Sequence, residues 1–172
     1  MQKLYIVCGL QGTGKTTFAQ ALSSKINVVC LFKDSLKEGL YDYRNCSTLE
    51  ESRELGREAI HLLFKLAEEQ LAHGVDLIIE SPFYFKEDYA MFRKWEEKYN
   101  LTIYSILCSI DPKVRIQRFQ NRERHASHHD TDRELNIHIP TDVYKDLPGK
   151  LIEIQSDKPV DELMERVLVL TR

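Results

Sequence analysis

Eight residues near the start of the chain, Gly9-Leu10-Gln11-Gly12-Thr13-Gly14-Lys15-Thr16, have the types and spacing that hold phosphate groups. The pattern is Gly-x-x-x-x-Gly-Lys-[Ser/Thr]. Its glycines let the backbone fold into a cradle whose N–H groups point inward at phosphate oxygens. Lys15 brings a compact positive charge to the β- and γ-phosphates, and the Thr16 hydroxyl is suited to magnesium. With the adjacent Thr17, residues Gly9 to Thr16 form the expected nucleotide-binding set.

Four further groups could do chemistry beside such a loop. Asp34 follows the apolar run Val28-Val29-Cys30-Leu31-Phe32. A carboxylate there can orient an acceptor hydroxyl and take its proton, and it also suits the cap of a short helix over 35–40. Glu80 ends the run Val75-Asp76-Leu77-Ile78-Ile79-Glu80, which resembles a Walker B strand whose terminal acid reaches the magnesium shell. Asp76 sits at the start of that run, on the wrong edge. Arg115, Arg118 and Arg122 recur at helical spacing, so one face would carry several guanidiniums and call for a polyanion. Arg124, His125, His128 and His129 follow in a polar stretch, but their spacing matches no established zinc pattern, and no structural zinc is expected.

These residues need a scaffold, and the hydrophobic pattern supplies one. Residues 3–8 read as a strand entering the loop, and Phe18, Leu22 and Ile26 mark the helix leaving it. The fully apolar run over 28–32 reads as a central parallel strand. Residues 41–47 read as a polar and aromatic loop. Thr48 to Glu51 has a capping-box pattern, and a long helix follows with Leu55, Ala59, Leu62, Leu63, Leu66 and Leu71 as its stripe, ended by Gly74. Residues 75–80, 101–109 and 151–155 supply three more strands. Tyr89, Phe92, Glu96 and Tyr99 share a helical face, which leaves Phe83, Tyr84 and Trp95 to stack on a ring-shaped substrate. Asp111-Pro112 opens one helix, and Ser156 to Pro159 opens the last. Strands alternate with helices throughout, which predicts an α/β fold with a parallel sheet and right-handed crossovers.

Composition limits the alternatives. The 172 residues suffice for a single domain spanning 1–172, with 42% hydrophobic and 30% charged residues. No apolar run approaches membrane-spanning length, and the first residues lead straight into a strand, so a cytoplasmic protein without a secretory signal is expected. Cys8, Cys30, Cys46 and Cys108 form no Cys-x-x-Cys pair and read as reduced thiols. A formal net charge of −3 gives no general attraction to nucleic acid. A GTPase-like switch would need an Asn-Lys-x-Asp guanine motif, which the chain lacks.

Together, Gly9 to Thr16, Lys33-Asp34, Ile78 to Phe83 and Arg118-x-x-x-Arg122 leading to Arg124-His125-x-x-His128 carry a resemblance over nearly the whole chain. The sequence resembles small P-loop kinases of the nucleoside-monophosphate-kinase-like type. It is most similar to the AAA-type kinases that include chloramphenicol phosphotransferase, zeta toxin and polynucleotide 5′-hydroxyl kinase. That resemblance implies a three-layer P-loop NTPase fold with strand order 2-3-1-4-5, ATP and magnesium, and a small arginine-rich lid over about residues 113–135. It also implies an adenine slot near Gln155 to Pro159. The sequence departs from the family at two points. Glu80 stands where Asp is common, and the lid reads Arg124-His125-Ala126-Ser127-His128 rather than the frequent Arg-His-Pro-Gly-His.

The expected reaction is phosphoryl transfer from ATP to a hydroxyl of a small molecule, nucleotide or nucleoside. Lys15, Arg118 and Arg122 would neutralise the transferred group, Asp34 would orient the acceptor, and Thr16 and Glu80 would hold magnesium. The alternative is a polynucleotide 5′-hydroxyl kinase or nucleic-acid-associated ATPase, which the net charge does not favour. The sequence leaves the acceptor and the oligomeric state open.

Overall fold

The computed structural model describes residues 1–44, 48–121, 123, 125–128 and 141–172. Strand β1 (Lys3–Cys8) enters the glycine loop, and helix α1 (Lys15–Ile26) leaves it. Then come β2 (Cys30–Phe32), α2 (Lys33–Arg44), α3 (Leu49–Ala72) and β3 (Leu77–Glu80). The remainder comprises α4 (Lys86–Tyr99), β4 (Thr102–Ser109), α5 (Pro112–Gln120), β5 (Lys150–Gln155) and α6 (Val160–Leu170). The five strands are all parallel, in the order β2-β3-β1-β4-β5.

Strand alternation builds the two cores. Leu4, Ile6 and Cys8 of β1 point to one face, where they pack with Leu63 and Ala67 of α3 and Phe92 and Trp95 of α4. Tyr5 and Val7 point to the other, against Phe18 and Leu22 of α1 and Leu163 and Val167 of α6. Helices on both faces leave only the ends of the strands for a ligand.

Several boundaries differ from the sequence reading. The apolar run over 28–32 is not a central strand. Its paired part is the three-residue β2 at the sheet edge, half-buried throughout, with Val29 exposed. The helix expected from Ser35 begins at Lys33 and runs on to Arg44, well into the expected loop, so Asp34 is a first-turn acid rather than a cap. The capping box at Thr48 is formed, with Thr48 Oγ1 accepting from the Glu51 amide at 3.2 Å and Glu51 accepting from the Thr48 amide at 2.8 Å.

Asp88, in the first turn of α4, is buried. Burial, and then the neighbouring Glu87, raises its carboxyl to about 6. In the unfolded chain it would titrate near ~3.9. Between these values the folded chain holds a proton that the unfolded chain has lost. Stability therefore falls as pH rises through that window and stays lower above it. Asp88→Asn is expected to raise stability by about 1 kcal/mol at neutral pH, part of the gain being offset by the lost favourable charge at a helix N-terminus. Urea titrations at acid and neutral pH check this, and a variant less stable at neutral pH would show that the ionised carboxylate is wanted there.

Candidate active site

The phosphate loop is preformed by its packing. Gly9 has φ 133, and a Cβ on it would lie 2.3 Å from the Cys108 carbonyl oxygen. Gly12 has φ 83, and a Cβ there would lie 2.8 Å from the Arg115 carbonyl oxygen. No side chain fits at either position; the motif demands glycine at Gly9, and at Gly12, one of its open positions, the packing of this chain does. Two of the loop's carbonyls are engaged. Leu10 O accepts from the Thr13 hydroxyl at 2.8 Å, the Thr13 amide at 3.3 Å and Lys15 Nζ at 3.0 Å. Gln11 O accepts from Arg115 Nη1 at 3.3 Å. In a trans peptide the carbonyl and the following N–H point in opposite directions, so the bond to Gln11 O turns the Gly12 amide away from Arg115. Gly14 occupies the cap position of α1 without a side-chain cap, so the helix offers its N-terminal field to an anion.

Three cations converge on this loop, and each rests on a backbone carbonyl. Lys15 is buried against Leu10 O, and Arg115 is buried against Gln11 O. Arg118 is exposed, with Nη1 3.2 Å from the Ser156 carbonyl and 3.9 Å from where a Cβ on Gly14 would be. Lys15 and Glu80 flank the same interior spot. Burial pushes the Cys108 thiol up to about 12, with Lys15 opposing the rise and Glu80 adding to it.

The order of the strands lays the remaining groups along one edge. Glu80 ends β3 beside Val7 of β1 and Phe32 of β2, and it is buried. Asp34 follows β2 on the far flank, half-buried and 3.2 Å from Lys33 Nζ. The loop after β3 runs beside the end of β1 and the phosphate loop. There the Gly9 amide reaches Pro82 O at 3.5 Å, and Tyr144 Oη donates to the same oxygen at 2.9 Å. Phe83 holds φ 43, and its carbonyl accepts from Tyr89 Oη at 2.9 Å. Asp76 lies at the opposite end, accepting from the Lys3 amide at 2.8 Å, as its position in the strand implied.

The expectation that Phe83 and Trp95 are spare aromatics for a ring-shaped substrate is corrected. Both are buried in one cluster with Phe64 and Phe92, where Phe83 meets Phe92 at 5.2 Å and Trp95 meets Phe64 at 5.6 Å. Of the three, Tyr84 alone stays half-buried near the site. A single helical stripe did not reveal this, because Phe64 arrives from α3.

The arginine face also changes. Helix α5 ends at Gln120, so it carries Arg115 and Arg118 in different settings, one inward and one exposed. Arg122, the other expected catalytic arginine, lies outside the described residues, as do Arg124, His129 and Cys46. His125 and His128 turn to helix α2. His125 Nε2 lies 3.1 Å from Asp42, and His128 Nε2 lies 2.9 Å from Glu38. Ser52 Oγ of α3 donates to Ser127 O at 2.5 Å and accepts from the buried Lys37 at 2.8 Å. Among the described residues no three His, Cys, Asp or Glu side chains gather to hold a metal.

The residues present fit a magnesium nucleotide. The cradle at Gly9 and Gly12 excludes side chains, and three cations surround it. Thr16 opens α1, and Glu80 offers a hard oxygen ligand at the adjacent strand end. Magnesium is commonly held by one or two such groups together with substrate phosphates rather than by a cage of protein ligands. Arg115 and Tyr144 are the groups the sequence reading did not single out for a role of their own. Arg115 was visible only as one of a run of arginines, and nothing in the local pattern around Tyr144 points to Pro82.

Residues 4–136 match the family model described as AAA domain, which is more than half of the chain. No curated protein sequence gives a significant match. A proposed kinase from Chloroflexus aurantiacus is 27% identical, with 97% of each chain covered and a TM-score of 0.79. Shikimate kinase from Bacteroides thetaiotaomicron is 14% identical, covering 99% of this chain and 98% of its own, with a TM-score of 0.64. The APS kinase of Mycobacterium tuberculosis, solved with AMPPNP and APS, is 16% identical, covering 99% of this chain and 96% of its own, with a TM-score of 0.60. These two share the fold. No helix among the described residues is long and apolar enough to cross a membrane. With the glycine loop at the end of β1 and the strand order 2-3-1-4-5, the chain has the fold of the P-loop kinases and belongs to the AAA domain family.

Proposed function

We propose that this protein, acting as a single kinase domain over 1–172, transfers the γ-phosphoryl group of ATP to a hydroxyl of a small molecule, nucleotide or nucleoside. The observation that carries this is the set of three cations, Lys15, Arg115 and Arg118, resting on carbonyls around a preformed phosphate loop. A site with that much positive charge, where among the described residues none of the three cations pairs with a carboxylate, suits a polyphosphate. The strand order supports a division of labour. Nucleotide phosphates belong at Gly9 to Thr17, with the base toward the turn after β5, where Arg118 meets Ser156. The acceptor belongs on the β2–β3 flank, beside Asp34 and the loop over 81–85.

In this reading Lys15 leaves Leu10 O for the β- and γ-phosphates, and Arg118 leaves Ser156 O for the transferred group. Thr16 and Glu80 would hold magnesium, which when bound neutralises charge on the phosphate oxygens. Asp34 holds the acceptor hydroxyl and takes its proton, with Lys33 Nζ 3.2 Å away to fix where the carboxylate sits.

The test is to incubate the protein with magnesium and labelled ATP against a panel of hydroxyl metabolites, nucleosides and oligonucleotides. One acceptor class should be labelled. Asp34→Asn should then lower transfer about a hundredfold, the smaller end of what a positioned base supplies, with ATP affinity unchanged. Labelled product in the oligonucleotide arm alone would favour polynucleotide kinase instead. ATP turnover that no panel member accelerates would overturn transfer to a hydroxyl acceptor.

A further inference from the structure

Arg115 is buried at the start of α5, with 3% of its surface exposed. Among the described residues its side chain has one polar partner, the Gln11 carbonyl at 3.3 Å from Nη1. Burial pulls its guanidinium below the ordinary arginine range, and the group that opposes this is the phenol of Tyr144 rather than a carboxylate. That phenol is itself pushed up by burial and stays neutral. A guanidinium carries five N–H donors and remains charged, so most of its bonding capacity and all of its charge lack a match among the described residues. A buried charge without a counter-charge is costly, and replacing such a group with an apolar one of similar size is often neutral or stabilising.

Its position explains what it could gain. The Arg115 backbone oxygen and Cγ stand 2.8 Å and 3.2 Å from where a Cβ on Gly12 would be. The residue therefore sits against the outer, carbonyl side of the phosphate loop. Holding Gln11 O outward aims the Gly12 amide into the cradle. The charge then lies one peptide layer behind the phosphates, in a region where water screens poorly.

We infer that Arg115 is a positioning residue for nucleotide phosphate: a buried cation with no counter-charge among the described residues, which aims the Gly12 amide inward and acquires its compensating charge when a polyphosphate fills the loop. This rests on the reading of Gly9 to Thr17 as a nucleotide site. It differs from that reading in predicting a trade between unligated stability and phosphate affinity, which a merely structural brace would not show.

The experiment compares wild type, Arg115→Met and Arg115→Lys by thermal unfolding without ligand and by titration with AMPPNP and with tripolyphosphate, both with magnesium. Arg115→Met keeps the length of the stem and removes the charge. Its unligated midpoint is expected to equal or exceed that of wild type, while affinity for both ligands falls about tenfold to a hundredfold, the worth of a hydrogen bond to a charged group. Arg115→Lys restores the charge and should recover part of that affinity. An Arg115→Met midpoint that falls, or a variant that does not fold, overturns the inference, because the cation would then hold the unligated structure together. Binding equal to wild type in Arg115→Met overturns it while leaving the nucleotide site intact. Wild type that binds neither AMPPNP nor tripolyphosphate overturns the nucleotide reading itself.

Discussion

Lys15→Ala is expected to reduce ATP turnover by about a thousandfold or more, since a charged donor at developing phosphate charge is among the largest single contributions to such a reaction. The fold should survive the change. Lys15 Nζ contributes one hydrogen bond, to Leu10 O, and that oxygen keeps the Thr13 amide and hydroxyl as partners. The side chain is buried, but among the described residues it makes no ion pair whose carboxylate its loss would strand. The glycines, which set the loop's shape, are untouched. The measurement is steady-state release of phosphate from ATP, beside a urea unfolding curve for the same preparation. A variant that unfolds cooperatively at the wild-type midpoint and still turns over at the wild-type rate would remove the loop from the chemistry altogether.

Arg118→Ala is expected to lose about a thousandfold in turnover while ATP affinity changes by less than about tenfold, because arginines brought to the transferred phosphoryl group act mainly on the transition state. Its setting supports the split. The side chain is exposed and rests 3.2 Å from the Ser156 carbonyl, so it can move to the γ-phosphate and bonds only weakly where it is. Arg115, one turn earlier on the same helix, is buried and fixed, so the two arginines should have opposite signatures: affinity for Arg115, turnover for Arg118. Isothermal titration with AMPPNP gives the affinity, and single-turnover kinetics give the chemical step. Equal losses in both quantities would make Arg118 a nucleotide anchor rather than a transition-state group.

The sequence by itself determined the loop and the strands that carry it. A glycine is forced wherever φ is positive and a neighbouring backbone occupies the place of a Cβ, so Gly9 and Gly12 are legible as letters. The capping box at Thr48 and the Asp111-Pro112 helix start are equally local, each needing only three or four consecutive residues, and both are formed as read. Glu80 and Asp34 were legible as strand-end acids because a parallel sheet presents its C-terminal ends to ligand.

What the tertiary structure decided lies between segments far apart in the chain. The apolar run over 28–32 looks central because a hydrophobic string carries no record of how many neighbours a strand has. Pairing with β3 alone, and a half-exposed surface, place it at the edge. Trp95 and Phe83 fell off the helical stripe of α4, yet Phe64, from the preceding helix α3, closes the cluster around both. Arg115 and Arg118 share a helix and a residue type. One became a buried brace behind Gly12 and the other an exposed arm over Gly14, because β4 delivers the start of α5 directly behind the loop at the end of β1. Periodicity assigns residues to faces of an element, whereas burial, partner and charge balance depend on what the other elements bring to that face.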